Sequence, residues 1–509
     1  MDDPLAAIDW PRADFRVGTL EFLIGLLATA CPPETDRAWR AWWREPPSAE
    51  TLAAAFAPLA HAFELDGDGP RFMQDLEDLP GQPDLPETLL IEAPGEATRR
   101  NNTALLVKPD RIVHLSRPAA AMALFTLQTY APAGGRGNLT SLRGGGPLTT
   151  LALPGAVPLW LLLWANVPKG PAPAPGDLPR IFPWLAPTRT ADRYPATIPG
   201  RDAHALQAFW GMPRRIRLDF AANVDALPCD LTGTVDEVIA TGWRQRPNGV
   251  KYAGWDHPLS PAYKDTKGGG WLPVHPQPGG IGYRHWVGFV FGDAKTGRSP
   301  ADCVAAWHER ASDVPAPVRD GMRLLAAGYD MDNMKARAFV ESEMPLPGTG
   351  DPEAGRAIAR LAEGLVASAE AAARALRRAV RDARFDDDTA LDAAPIAAAF
   401  ESFWAATHDA FFTQLAHPPE DTDEALEAAS RKWLAVLKAT ALRLFDEAAP
   451  LDPGAASFDP ARIVRARRSL FYTLEGYGPS GNALFAALML PTPEPAKKGG
   501  KRAKAEMPA

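Results

Sequence analysis

Two glycine-rich stretches with interspersed arginines are the residues of this chain whose types and spacing point most directly to binding chemistry. The first, 131–138, reads Ala-Pro-Ala-Gly-Gly-Arg-Gly-Asn, and the second, 143–147, reads Arg-Gly-Gly-Gly-Pro. Glycine has no Cβ and tolerates positive φ, so a run of glycines lets a bulky ligand approach the main chain closely. The pattern therefore indicates a loop that contacts a large ligand, and a glycine-rich surface turn is the alternative interpretation.

The charge around these stretches indicates that the ligand is a polyanion. Residues 97–150 contain a single acid, Asp110, and seven basic residues: Arg99, Arg100, Lys108, Arg111, Arg117, Arg136 and Arg143. The local balance is thus +6, whereas the whole chain of 509 residues has a formal net charge of −8. A basic segment in an acidic protein favours a polyanion bound at one place over attraction to the whole surface.

Residues that could support catalysis are few and scattered. The sequence contains no Walker loop, no Gly-x-Ser-x-Gly elbow and no His-Glu-x-x-His motif. The residues that come nearest to a metal cluster are Asp256, His257, His275 and His285, but their spacing is not that of compact metal ligands. We therefore expect no metal and no cofactor, and we keep a metal-dependent hydrolase that uses the region of Asp256, His257 and His275 as an alternative.

Length and composition indicate a globular protein of more than one domain. The chain is 46% hydrophobic and 23% charged, and it is too long for a single core. Three cysteines, far apart and odd in number, argue against a disulfide framework and for a cytoplasmic protein. The most apolar run, 20–31, is too short to cross a bilayer and contains Glu21. It is predicted to be a buried helix, and no membrane partner is expected.

The predicted secondary structure around the glycine stretches differs from that later in the chain, and a proline- and glycine-rich hinge, 344–350, separates the two parts. Before the hinge the patterns are mixed, and the apolar runs 148–153, 158–164, 216–220 and 285–291 are predicted to be strands. Trp39, Trp42 and Trp43 fit one face of a helix and are predicted to be core. After the hinge, apolar residues recur at helical spacing over 352–384, 392–416, 421–448 and 459–475, with a possible continuation at 482–490.

These patterns predict an α+β fold. An irregular mixed α/β N-terminal domain, 1–350, is followed by a C-terminal antiparallel four-helix bundle, 351–490, because short connectors join the long helices. The basic tail, 491–509, is predicted to be disordered. In the bundle, Arg462, Arg465 and Arg468 share a helical face with few acids nearby and are predicted to contact DNA. A bundle-based scaffold that contacts only proteins is the alternative.

Several segments, taken in order, make this chain similar to a known family. They are the two glycine stretches, Trp-Asp-His-Pro-Leu-Ser-Pro at 255–261, and Ala-Gly-Tyr-Asp-Met-Asp-Asn-Met-Lys-Ala-Arg at 327–337. Arg-Phe-Met-Gln at 71–74 lies upstream, and the predicted bundle lies downstream. From about residue 60 to 490 the sequence resembles the CasA family, the large subunits of the type I-E CRISPR Cascade complex.

The resemblance implies a non-catalytic subunit of an RNA-guided DNA surveillance complex in antiviral defence. Such a subunit recognises the protospacer-adjacent motif in the minor groove, helps to open the duplex, and supports recruitment of a nuclease-helicase. The implied partners are double-stranded target DNA, the multisubunit complex that carries the guide RNA, and the nuclease-helicase. The guide supplies most of the sequence reading in systems of this kind.

The resemblance also assigns DNA-binding residues in this sequence. The family's minor-groove glycine loop corresponds to 134–138, its minor-groove lysine falls near Arg246, and its wedge corresponds to 332–334 with Asn333 at the tip. The residues assigned to DNA binding are Gly134, Gly135, Arg136, Gly137, Asn138, Arg143, Arg246, Asn333 and Lys335.

The resemblance further implies a mobile loop that contacts the RNA-bearing foot of the complex. This loop corresponds to 101–116, where Asn101, Lys108 and Arg111 are the candidate contacts. The sequence departs from the family in two places. Only Cys229 stands where some members carry a cysteine-rich, zinc-like segment, so no zinc is expected, and the N-terminus is shorter than the resemblance predicts.

Overall fold

The structure is a computed structural model that describes residues 5–493, except 105, 106, 108, 136, 156, 294, 295, 333, 349, 350, 386–392, 421, 453 and 455–457. The chain is an α+β protein, as predicted. It divides into two compact units, the first comprising 1–281 and 285–355 and the second comprising 282–284 and 356–509.

Helices before the hinge are mostly short and are joined by irregular segments. Their bounds are α1 (Ala13–Ala30), α2 (Asp36–Arg44), α3 (Ala49–Phe56), α4 (Glu96–Arg100), α5 (Arg117–Tyr130), α6 (Leu159–Asn166), α7 (Leu178–Ile181), α8 (Tyr283–Val290), α9 (Asp302–Arg310) and α10 (Ala316–Asp320). Tight 3-10 turns occur at Ala57–Ala62, Pro86–Leu89, Pro175–Asp177, Pro183–Leu185, Ala205–Trp210 and Ala311–Asp313. The buried helix predicted for 20–31 is confirmed as part of α1.

The strands form antiparallel three-stranded sheets. Their bounds are β1 (Leu115–Ser116), β2 (Thr149–Leu153), β3 (Arg215–Ala222), β4 (Val238–Arg246), β5 (Ala262–Lys264), β6 (Trp271–Pro273), β7 (Arg298–Ser299), β8 (Arg323–Asp332) and β9 (Lys335–Pro345). The strand orders are β1-β4-β3, β2-β8-β9 and β6-β5-β7. The strands predicted at 148–153 and 216–220 are confirmed as β2 and as part of β3.

Two of the predicted strands are wrong. The run 158–164 lies in α6, and the run 285–291 lies largely in α8. Periodicity does not separate a short buried helix from a short buried strand, because both are apolar throughout. In α6 the rings of Trp160 and Trp164 stack 5.2 Å apart at the i, i+4 spacing that only a helix provides.

The core of the first unit is rich in aromatic side chains. Trp39 and Trp43 of α2 are buried and stack 4.9 Å apart, which confirms the predicted core role, while Trp42 is half-buried. The indole N–H groups of Trp39 and Trp164 each donate to the other residue's carbonyl oxygen at 2.9 Å. These bonds satisfy polar groups that would otherwise be costly to bury, so the two helices pack without unpaired donors here.

The predicted long helices after the hinge are confirmed, and the last is interrupted. Their bounds are α11 (Pro352–Arg384), α12 (Ala394–Ala416), α13 (Asp423–Ala448), α14 (Pro460–Leu474) and α15 (Gly478–Ala487). Asp459 caps α14 by accepting from the Arg462 N–H at 3.0 Å. The Trp433 indole of α13 donates to the Leu365 carbonyl of α11 at 3.2 Å. The antiparallel four-helix arrangement and the domain limits stay predictions, and residues 494–509 lie outside the described residues.

Candidate nucleic-acid interface

A tight loop, 134–138, follows α5 and is called the glycine loop below. The Gly134 N–H donates to the Asn138 carbonyl at 3.0 Å, which closes the loop on itself. Gly135 is exposed, and a Cβ built on it would have no heavy atom within 4 Å. Arg136 lies outside the described residues. The loop therefore presents main chain to the surroundings at Gly135, as the glycine pattern predicts.

The glycine loop lies against the turn that follows β4. Gly137 has φ +80°, and a Cβ built on it would lie 2.8 Å from Asn248 Oδ1 and 3.0 Å from Pro247 Cβ. The Asn248 N–H donates to the Gly137 carbonyl at 3.0 Å. Arg246, a predicted DNA contact, is exposed and is the last residue of β4. It therefore directly precedes the turn that supports the glycine loop.

Replacement of Gly137 by Ala is expected to loosen the glycine loop, whereas Gly135→Ala is expected to leave it unchanged. An L-residue in the left-handed region costs about 1–2 kcal/mol, and the added methyl would also collide with Asn248. Hydrogen exchange at the Asn248 amide measures this directly, because the free energy of local opening should fall by that amount. Equal exchange in the two variants would contradict this packing.

The second glycine stretch lies between the glycine loop and the end of β8. A Cβ built on Gly145 would lie 2.8 Å from Pro132 Cα, at the base of the loop. Gly146 has φ +64°, and a Cβ on it would lie 2.8 Å from Met331 Cγ. Because Gly145 and Gly146 have no side chains, the base of the glycine loop and the β8–β9 hairpin can both lie close to this second glycine stretch.

The end of the β8–β9 hairpin exposes the residues next to the predicted wedge. Asp332 pairs with Lys335 across the two strands, and both are exposed. Met334, the residue after Asn333 in the sequence, is 58% exposed. Asn333 itself lies outside the described residues, so its assignment as the wedge tip stays a prediction.

Arg143 requires a correction, because the structure does not leave it available to DNA. Its side chain is 2% exposed and pairs with Glu21 of α1, Nη2 to Oε2, at 2.6 Å. Nη1 donates to the hydroxyls of Thr149 and Ser260, both at 2.9 Å. The charge predicted to attract a polyanion is thus taken up by a buried carboxylate that is distant in sequence.

Acids outside the segment 97–150 also pair with other cations of that segment. Arg117 donates to Asp236, Nη2 to Oδ1, at 2.6 Å, and this hydrogen bond lowers the pKa of the Asp236 carboxyl to about 2. Arg99 lies 4.0 Å from the carboxylate of Glu87. The positive balance computed from the linear segment therefore overstates the positive charge that this part of the surface carries.

The predicted mobile loop is described only in part. Asn101 and Arg111 are exposed, whereas Lys108 lies outside the described residues. The Arg111 N–H donates to the Glu87 carboxylate at 3.2 Å, and Asp230 accepts from the N–H groups of residues 113 and 114. Two carboxylates thus hold the backbone of this segment, while the side chains of Asn101 and Arg111 face outward.

The three arginines predicted on α14 differ in their availability. Arg465 and Arg468 are exposed, and the Arg468 guanidinium lies 5.3 Å from the centre of the Tyr472 ring. Arg462 is half-buried and its Nε donates to the Ala383 carbonyl at 3.1 Å, near the end of α11. Arg462 therefore satisfies a helix-terminal carbonyl, which corrects its assignment as a free DNA contact.

The histidines of the alternative hydrolase site surround Arg143. Burial lowers the pKa of His257, whose Nδ1 accepts from the Leu259 N–H at 3.1 Å. His275 Nε2 is 3.0 Å from the Arg143 carbonyl oxygen. In the part of the chain that the structure describes, no group of three or more His, Cys, Asp or Glu side chains could hold a metal ion.

Sequence reasoning missed Arg214 and Asn248, which contact the glycine loop. The signal for Asn248 is the Asn-Gly pair at 248–249, which follows a strand and is typical of a turn. Arg214 stands in a basic cluster with Arg215 and Arg217, but sequence alone does not tell which of them pair with acids. Among the described helices, none is long and apolar enough to span a bilayer.

Comparisons with known proteins agree with the α+β fold and place the chain among the CRISPR-associated proteins. The model of CRISPR-associated protein Cse1 matches residues 1–444. This chain belongs to the Cse1 family. One solved relative is titled both CasA and Cse1, so the resemblance to the CasA family is confirmed.

Solved structures with the same fold are distant in sequence. CasA of Thermus thermophilus is 17% identical, with a TM-score of 0.65 and 93% of each chain covered. Thermobifida fusca Cse1 is 17% identical, with a TM-score of 0.65 and coverage of 95% of this chain and 92% of that one. A chain of a structure titled CRISPR RNA-guided surveillance complex is also 17% identical, with a TM-score of 0.65 and 92% of each chain covered. No curated protein sequence matches the chain.

Proposed function

We propose that this protein is the non-catalytic subunit of an RNA-guided DNA surveillance complex that recognises the motif beside the target sequence. In this role it binds double-stranded DNA in the cytoplasm, helps to open the duplex for the guide RNA, and supports recruitment of a nuclease-helicase. Membership of the Cse1 family and the likeness to a chain of an RNA-guided surveillance complex support the proposal.

The observation that carries the proposal is the exposed main chain of the glycine loop. The minor groove of B-DNA is about 6 Å wide, so a loop without side chains enters it more easily than a bulky one. Gly135 is exposed with open space around it, and Gly137 seats the loop firmly on the turn after β4. Because A·T and T·A look alike in this groove, a reader there tolerates several related motifs.

Duplex opening is assigned to the end of the β8–β9 hairpin. Inserted side chains unstack a base step at a cost of a few kcal/mol, which other contacts must offset. Lys335 and Arg246 are exposed and are the proposed phosphate contacts that offset part of this cost. A Cβ added to Gly146 would collide with Met331 and one added to Gly145 would collide with Pro132, and this close approach supports a shared site for loop and hairpin.

Further contacts are proposed away from the glycine loop. Arg465 and Arg468 are exposed on α14 and are candidates for the displaced strand, where the Tyr472 ring beside Arg468 could stack on a base. Asn101 and Arg111, together with Lys108, are candidates for the RNA-bearing foot. We do not include Arg143 and Arg462 among the proposed DNA contacts, because their guanidinium groups bind Glu21 and the Ala383 carbonyl.

Replacement of Asn333 by Ala is expected to impair duplex opening more than initial motif binding. We expect opening in the assembled complex to weaken about tenfold, which corresponds to about 1.4 kcal/mol of lost support for the unstacked step. Fluorescence of 2-aminopurine in the first base pairs of the target measures opening, and anisotropy of a labelled duplex measures binding.

A pre-melted target is the control for this experiment. The variant should bind it like the unaltered protein, because no step remains to be unstacked. Equal losses on duplex and pre-melted targets would contradict the wedge assignment. Binding that barely depends on salt would favour the scaffold alternative, since each phosphate contact adds about −0.9 to the slope of log K against log salt.

A further inference from the structure

Arg214 occupies a fixed position immediately before β3. Its N–H donates to the Gln128 side-chain oxygen at 3.0 Å, and its carbonyl accepts from the Gln128 side-chain nitrogen at 2.9 Å. Gln128 lies on α5 and is 1% exposed. This reciprocal pair of hydrogen bonds anchors the Arg214 backbone to a buried residue of the helix that leads into the glycine loop.

The Arg214 guanidinium binds both ends of the glycine loop. Nη2 donates to the Pro132 carbonyl at 2.6 Å, and Nε is 3.4 Å from the Leu139 carbonyl. Pro132 precedes the loop and Leu139 follows it. A planar guanidinium with several fixed donors can bridge two carbonyls in this way, whereas a lysine ammonium is a single point charge.

Arg214 differs from the neighbouring arginines because no carboxylate neutralises its charge in the described part of the chain. Arg215 pairs with Asp75 at 2.5 Å and with Glu77 at 2.7 Å, and Arg217 lies 3.4 Å from Asp78. No carboxylate lies within ion-pair distance of Arg214 in the described part of the chain. Burial lowers the pKa of Arg214 to about 10, so the group is still charged at neutral pH.

We propose that Arg214 is a positioning residue that closes the neck of the glycine loop and holds its main chain in the shape that contacts DNA. A half-buried cation whose guanidinium binds carbonyls rather than a carboxylate is costly to a fold, and ionisable groups in such surroundings are concentrated at functional sites. The DNA part of this inference rests on the proposed function of the glycine loop, whereas the positioning part does not.

The test compares Arg214→Met with Arg214→Lys and with a matched control, Arg244→Met. Arg244 also donates to a loop carbonyl, Gly81, at 3.0 Å, but it serves a different segment and pairs with Asp219. In the free protein, Arg214→Met should speed hydrogen exchange in 131–139 about tenfold or more, the factor that corresponds to one lost charged hydrogen bond. Arg214→Lys should restore part of the protection, and Arg244→Met should leave it unchanged.

The same variants in the assembled complex test the link to DNA. Arg214→Met should weaken duplex affinity about tenfold without a change in the salt slope, because Arg214 contacts carbonyls rather than phosphate. Unchanged exchange in 131–139 would overturn the positioning role. A salt slope reduced by about 1 would also overturn it, since that marks a lost phosphate contact. Faster exchange with unchanged affinity would uphold the positioning role and instead contradict the proposed function of the loop.

Discussion

Replacement of Gly135 by Asp is expected to abolish motif binding by the assembled complex while the protein remains folded. In the proposed complex, a carboxylate at this position would be repelled by the phosphates that line the groove. Like charges placed together at an interface cost several kcal/mol, so we expect at least a ~100-fold loss of duplex affinity, equivalent to about 2.8 kcal/mol.

The structure explains why the fold should tolerate this change. Gly135 is exposed, its φ is not in the left-handed region, and a Cβ there would meet no heavy atom within 4 Å. The side chain therefore enters solvent in the free protein. Thermal unfolding followed by circular dichroism should give the same midpoint for Gly135→Asp and the unaltered protein.

Two further substitutions separate size from charge at Gly135. Gly135→Asn matches Asp in shape without the charge, and Gly135→Ala adds only a methyl group. We expect the losses of affinity to rise in the order Ala, Asn, Asp, measured by anisotropy of a labelled duplex at fixed salt. An Asp variant that binds as tightly as the unaltered protein would reject the assignment of this loop to DNA.

Replacement of Arg143 by Met is expected to cause the largest loss of stability, about 3–5 kcal/mol. Removal of one partner from a buried ion pair leaves the other charge without compensation. Among the described residues, Glu21 would then keep only neutral partners, the hydroxyls of Tyr130 and Thr149. Urea unfolding followed by tryptophan fluorescence should show an earlier transition for the first unit.

An exposed ion pair supplies the matched control for Arg143. Arg323 pairs with Glu343 at 3.1 Å, and the two side chains are 46% and 48% exposed. Exposed pairs contribute about 0–1 kcal/mol, so Arg323→Met should have little effect on stability. The double variant Glu21→Leu/Arg143→Met should recover part of the loss, because no unpaired charge remains. Equal effects of Arg143→Met and Arg323→Met would contradict the burial of the Arg143 pair.

The sequence by itself determined the elements whose signals are local. The helices after the hinge follow from apolar residues at helical spacing, and Asp459 caps α14 through an interaction that spans three residues. Local composition also predicts the glycine loop, since glycine tolerates the left-handed conformation found at Gly137. Short apolar runs such as 158–164 gave the wrong element, because burial on all sides removes the periodicity that separates helix from strand.

Only the tertiary structure decided which charges and contacts form the candidate interface. Arg143 is neutralised by Glu21, 122 residues earlier, and Arg214 binds Pro132, 82 residues earlier. Charge counted along a segment cannot reveal such partners, because electrostatic pairing depends on distance in space and on burial rather than on order along the chain. For this reason the sequence alone predicts a glycine-rich loop as a candidate interface, whereas the tertiary structure shows which cations near it are exposed and that Arg214 binds the carbonyls on both sides of it.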